Sequence, residues 1–203
     1  MPAHKNSEDF PDLTLDLYVD VLKKFADHLN VEKLILAGHS LGGAVIQDYY
    51  FKYPNDVTAL ILIGTGGRLR VRPSTLNLVK SDYQEYLTSI PAGAFYSKAS
   101  KEIIKECIDD TSDIPPEVTY NDFRICDEFD TLQKTSTIQI PCLILCGKFD
   151  KMTPIKYSQF FHDKLENSEF KIFKRAGHMV MVEQPKKINR AIENFINSLK
   201  KSQ

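Results

Sequence analysis

Gly38-His39-Ser40-Leu41-Gly42 sets a serine between two glycines in the pattern G-x-S-x-G. A serine hydroxyl is a weak nucleophile unless a neighbouring base takes its proton. The pattern is short enough to arise by chance, so its setting decides what it means. It follows the apolar run Leu34–Ala37 and opens the segment Ala44–Tyr53, which ends at Pro54. A buried strand, a sharp turn and a helix are the context in which such a serine is displayed for attack. Small residues at Gly38 and Gly42 are expected to relieve the clash in this turn, and Gly43 to extend the close approach of helix and strand. The serine then stands at the positive end of a helix, where a developing anion is favoured. The backbone N–H of Leu41 is the expected oxyanion donor. The alternative is an ordinary Gly-rich turn with an incidental serine.

With a serine turn of this kind the acid and then the histidine come later in the chain. Two histidines follow Ser40, His162 and His178. His178 comes after Arg175-Ala176-Gly177, between the last apolar run and the last helical segment, and Gly177 is expected to let the loop bend so that the ring points back over the sheet. His162 falls inside a helical pattern and reads as a surface or half-buried residue. His39 adjoins the serine, with its side chain expected to point away from it. Asp150, in Gly147-Lys148-Phe149-Asp150, follows one apolar run and precedes a helix starting near Pro154. It is the leading acid, with an N-cap or turn role as the alternative. Asp127 and Asp130 lie before that run and are weaker candidates. In this reading Ser40, Asp150 and His178 are nucleophile, acid and base, with Asp150 holding the His178 tautomer and stabilising its imidazolium.

The elements that must position them alternate between strand and helix. Residues 13–29 carry an apolar stripe at Leu15, Tyr18, Leu22, Phe25 and Leu29, with Thr14 or Asp12 as cap. Leu34–Ala37, Ala59–Ile63, Cys142–Cys146 and the weaker Phe170–Phe173 are short runs suited to buried strands. Residues 153–165 and 185–199 read as helices, the last striped by Ile188, Ala191, Ile192, Phe195 and Leu199. The order predicts an α/β fold, a parallel sheet with helices on both faces. Residues 68–134 hold amphipathic segments such as Leu76–Leu87 and Lys101–Asp109 but no strong strand. They read as a helical cap inserted into a core made of 1–67 and 135–203. Tyr83, Tyr86, Phe95 and Tyr96 are candidate pocket lining, with the insertion's own core as the alternative. Substrate-binding residues within the cap are otherwise unassigned.

Composition narrows the classes. The 203 residues carry a formal net charge of -1, with 42% hydrophobic and 26% charged residues, as in an ordinary globular domain. No basic excess exists to attract nucleic acid. Lys186-Lys187 and Lys200-Lys201 read as solvated helix surface. The first ten residues lack the apolar stretch of a signal peptide, and no run approaches the roughly 20 apolar residues of a membrane helix. Cys107, Cys126, Cys142 and Cys146 fit no zinc spacing and read as reduced thiols of a cytoplasmic protein. No metal or organic cofactor is implied.

The motifs GHSLGG at 38–43, GKFDKMTP at 147–154 and AGHMVMVEQP at 176–185 together resemble the α/β-hydrolase fold family, in its branch with a helical cap. Pro2–Ser7 resembles the loop after that family's fourth strand, with alanine and lysine where the family has glycines. The resemblance covers nearly the whole chain and is least specific over 68–134. It implies hydrolysis of carboxylic esters or related acyl bonds of a small molecule through an acyl-enzyme. It equally admits C–C bond hydrolases, lyases and cofactor-free peroxidases, since fold does not fix reaction. In the family an N-terminal part with four strands and the second oxyanion donor precedes this loop. By the resemblance this chain begins after it. Loss of one such donor removes about 2.7–4 kcal/mol of transition-state stabilisation. The Leu34–Ala37 strand is then expected to have a bare edge open to self-association.

Two other classes compete. One is an inactive fragment or degenerate homologue that binds rather than catalyses. The other is a nucleotide-binding α/β protein, but neither G-x-G-x-x-G nor G-x-x-x-x-G-K-[ST] is present, and Gly64-Thr65-Gly66-Gly67 lacks the phosphate-binding lysine.

Overall fold

Residues 1–8, 10 and 12–201 are described by the computed structural model. In chain order the elements are α1 Leu15–His28, β1 Leu34–His39, α2 Leu41–Lys52, β2 Val57–Ile63, α3 Pro73–Ser81, α4 Tyr83–Ala94, α5 Lys101–Ser112, α6 Pro116–Glu128, β3 Cys142–Gly147, α7 Ile155–Lys164, β4 Ser168–Phe173, α8 Val180–Glu183 and α9 Pro185–Lys201. The four apolar runs thus become four strands, in the spatial order β1-β2-β3-β4 and all parallel. Parallel neighbours require crossovers, and helices supply them.

Side chains alternate across a strand, so each run feeds both faces of the sheet. Leu60 and Leu62 of β2 join Cys142 and Ile144 of β3 in a cluster with Tyr18 and Val19 of α1, Ile46 and Tyr49 of α2, and Phe161 of α7. Ala59, Ile61, Ile63, Leu143 and Leu145 point to the other face, against Ile188, Ala191 and Phe195 of α9. The stripe expected for the last helix is the one it buries.

β1 is covered less completely. It pairs with β2 alone among the described residues, so its other edge is bare. Ile35 and Ala37 stand in register with Ala59 and Ile61. Those partners are buried, whereas Ile35 is 39% exposed and Ala37 is also exposed. The bare edge expected from the sequence comes with a bare stretch of sheet face.

Two local readings need correction. In α1 the capping Thr14 does accept the Leu17 N–H, at 3.1 Å. The buried face, however, runs through Tyr18, Val19 and Ala26, while Phe25 and Leu29 are 60% and 52% exposed. The three- and four-residue steps fit either phase, and packing on α2 selects the one carrying Val19. The stretch Leu76–Leu87 is broken in two at Asp82, whose φ of -153° ends α3 and whose carboxylate accepts the Glu85 N–H at 2.8 Å to start α4. Between β2 and β3 the chain forms α3 to α6. The ends of this stretch meet where Arg68 bridges Asp130 and the Thr131 N–H donates to Gly67 O at 2.6 Å. Among the described residues no helix is long and apolar enough to cross a membrane.

Candidate active site

Ser40 sits between the end of β1 and the first turn of α2 with φ 51° and ψ -117°. A non-glycine residue held there stores about 1–3 kcal/mol of backbone strain. The turn is fixed on both sides. The Ser40 N–H donates to Ile63 O at 3.0 Å, and Thr65 Oγ1 donates to Ser40 O at 2.8 Å. A serine at a helix start ordinarily spends its oxygen on capping. Ser40 makes no such bond, which leaves its hydroxyl for other work. Leu41 is the first residue of α2, and an amide in that position has no partner within the helix.

The glycines act differently from the expectation. A Cβ at Gly38 would lie 2.2 Å from Gly42 O, and one at Gly43 would lie 2.4 Å from Thr65 Oγ1, so both approaches demand glycine. A Cβ at Gly42 would meet nothing within 4 Å. Gly42 does not relieve the turn by being small. Its backbone is the surface that Gly38 must approach.

Asp150 and His178, the expected acid and base, lie in the loops after β3 and β4. Asp150 is 6% exposed and His178 3%. His178 Nδ1 donates to Asp150 Oδ2 at 2.9 Å. Thr153 Oγ1 donates to the same oxygen at 2.7 Å, and the Met152 and Thr153 amides donate to Oδ1 at 2.9 and 2.8 Å. Burial works against the Asp150 charge, but the bond and charge of His178 and the Thr153 donors outweigh it and hold the carboxyl below its usual range. The two loops touch directly, since a Cβ at Gly147 would lie 2.0 Å from Gly177 O. Gly177 is needed for close approach and not for an unusual turn. Its φ is not positive, and a Cβ there would lie 2.7 Å from Ala94 O.

His39 has a larger part in the structure than its place beside Ser40 suggests. Its ring lies 4.5 Å from that of His178, and its Nε2 donates to the His178 carbonyl at 3.0 Å. Burial and the neighbouring His178 push its pKa down to about 3, so it stays neutral. It links the serine turn to the His178 loop. Adjacency to Ser40 was the only signal for it in the sequence.

The other candidates lie elsewhere. His162 is exposed and paired with Ser168 Oγ at 2.9 Å. Asp127 accepts the Val71 N–H, and Asp130 binds Arg68, so both brace the ends of the α3–α6 stretch. Tyr83 donates into the α5–α6 junction and Tyr86 packs on Phe123, as core of that stretch; Phe95 is 3% exposed. Tyr96 lines a cleft with Lys98, Ser100, Arg175, Glu183 and Gln184. Among the described residues no cluster suited to a metal ion occurs.

Known proteins resemble this chain in sequence and fold. The AB hydrolase superfamily protein YisY of Bacillus subtilis is 26% identical over 90% of this chain and 74% of its own length. Monoacylglycerol lipase ABHD6 of Bos taurus is 25% identical over 98% of the chain, which spans 66% of that protein. A solved thermophilic esterase superposes with a TM-score of 0.88 at 33% identity, over 97% of this chain and 78% of its own. Residues 2–185 match the family described as serine aminopeptidase, S33, a stretch that contains the serine turn and both loops, and the chain therefore belongs to that family of α/β-hydrolases.

Proposed function

We propose that the chain is a serine hydrolase of carboxylic esters or related acyl bonds in small molecules. Ser40 attacks the acyl carbon, and His178 takes its proton. Nδ1 of His178 is committed to Asp150, which leaves Nε2 as the nitrogen that accepts. The oxyanion forms at the start of α2, where the Leu41 N–H and the helix dipole favour it. His178 then protonates the leaving alcohol, and the same steps with water release the acid from Ser40. The observation that carries this reading is the buried Asp150–His178 pair on a loop joined through His39 to a strained serine that caps nothing. The relatives named as an esterase and a monoacylglycerol lipase support ester substrates.

In this proposal residues 1–67 and 135–203 form the catalytic core and 68–134 a cap that shapes the substrate pocket. Four unpaired cysteines support a reducing, cytoplasmic setting. The test is p-nitrophenyl ester hydrolysis across acyl lengths. An acyl-enzyme gives an initial burst of p-nitrophenol that vanishes in Ser40→Ala. Turnover that survives this substitution would overturn the reading.

A second reading, that this chain alone is inactive and needs further strands, is favoured by the bare β1 edge and the exposed Ile35. Its outcome in the same assay is a folded protein with no turnover. The same edge supports self-association of the chain through β1.

A further inference from the structure

Glu183, in the last of the three sequence motifs, has no role in the chemistry above. Its place in the structure gives it one. It ends the short α8, five residues after His178, and is half-buried. Its Oε2 accepts the Gly177 N–H at 2.6 Å and its Oε1 accepts the Tyr96 N–H at 2.8 Å. One carboxylate thus grips the residue just before His178 and a residue just past α4.

The same two segments are joined twice more. The His178 and Met179 amides both donate to Ala94 O, at 2.7 and 3.1 Å. Gly177 is pressed so closely on this segment that a Cβ there would lie 2.7 Å from Phe95 C and 2.8 Å from Tyr96 N. The segment also reaches the acid loop. The Tyr96 ring stacks on Phe149 at 4.8 Å, and Lys151 Nζ donates to Ala92 O at 2.9 Å. Residues 92–96 therefore touch both loops that carry the acid and the base.

Glu183 is not held there by a cation. Lys98 and Arg175 line the same cleft, yet among the described residues neither forms an ion pair with it. Its two acceptor oxygens are both spent on backbone amides from segments far apart in sequence. A carboxylate is suited to this, because charge-assisted bonds are about twice as strong as neutral ones and its two oxygens can serve two donors.

We propose that Glu183 is a positioning residue that clamps the His178 loop to the Ala94–Tyr96 segment and so sets where the base stands relative to Ser40. The inference rests on the serine-hydrolase reading and deepens it. The clamp makes the position of the base depend on the helical stretch between β2 and β3. Glu183 acts on the chemical step and leaves substrate binding alone.

The test compares the parent protein with Glu183→Gln, Glu183→Ala and, as a control on the same short helix, Val182→Ala at an exposed position. Glutamine keeps the shape but sets an amide N–H₂ against one of the two backbone donors. Steady-state constants for a p-nitrophenyl ester are normalised to active sites titrated with a fluorophosphonate, so that unfolded protein does not count. Amide exchange of His178 and Met179 is followed in parallel. The expected result is a fall in kcat of about 10- to 100-fold in both Glu183 variants, with KM unchanged within about twofold, as for a small misplacement of a catalytic group. Exchange at His178 and Met179 speeds up in both, and neither readout moves in Val182→Ala. An unchanged kcat, a loss carried by KM, or unaltered exchange would overturn the clamp. If the parent neither hydrolyses nor labels, the serine-hydrolase reading is what fails, and the exchange data alone decide whether Glu183 fastens the loop.

Discussion

Ser40 sits in backbone strain and leaves the first turn of its own helix uncapped, a combination that destabilises a protein and serves a nucleophile. The residues around it make the arrangement testable one at a time. Asp150→Asn keeps the shape but removes the charge that fixes the His178 tautomer, and kcat for ester hydrolysis should fall about 10⁴-fold with the far-UV spectrum unchanged. The two glycines of the turn should separate cleanly. Gly38→Ala drives a methyl group into the Gly42 backbone and should cost about 3 kcal/mol or more in urea unfolding. Gly42→Ala meets open space and should be neutral, or stabilise α2 by up to about 1 kcal/mol. The places of Ser40, Asp150 and His178 just past the ends of strands could be read from order and flanking runs. The unequal roles of Gly38 and Gly42, the reach of His39 and the grip of Glu183 could not. They depend on which backbone atoms face each other across the turn, and spacing along the chain does not encode that.

Elements are held together by polar contacts that hydrophobic periodicity does not reveal. Asp122 of α6 accepts the Tyr18 hydroxyl of α1 at 2.6 Å and His4 Nε2 at 2.9 Å, and so joins the first residues and α1 to the helices between β2 and β3. Buried Gln47 of α2 similarly donates to Gly43 O and Gly66 O and accepts from Thr131. The His4 bond gives a pH prediction. The hydrogen bond to Asp122 raises the His4 pKa above its ordinary 6.5, against the opposing effect of burial. The folded state then holds the proton more tightly than the unfolded state. The stabilisation is complete below about pH 6.5 and is lost as pH rises through the raised folded value. His4→Asn should cost about 1–2 kcal/mol at pH 5.5 and clearly less at pH 8.5, measured by urea unfolding of both proteins at each pH. The strands and most helices were legible because each apolar run is short and all but the weak Phe170–Phe173 are bounded by Gly or Pro. The phase of α1 was not, since its Phe25 and Val19 compete for the core and only the neighbouring helix decides between them.

At the scale of the whole molecule the sheet is well covered over β2 and β3 and open at β1. An unpaired strand with exposed apolar side chains invites another strand. Sedimentation velocity should show concentration-dependent association, and Ile35→Lys, which puts a charge on the open face, should shift it towards the monomer. Association unaffected by that change would place the contact elsewhere. Assembly of a working triad around Ser40 is tested by intact mass after treatment with a fluorophosphonate. One adduct per chain is expected, absent in Ser40→Ala and strongly reduced in His178→Ala. A folded protein that takes up no adduct, or an equal adduct in Ser40→Ala, would contradict it.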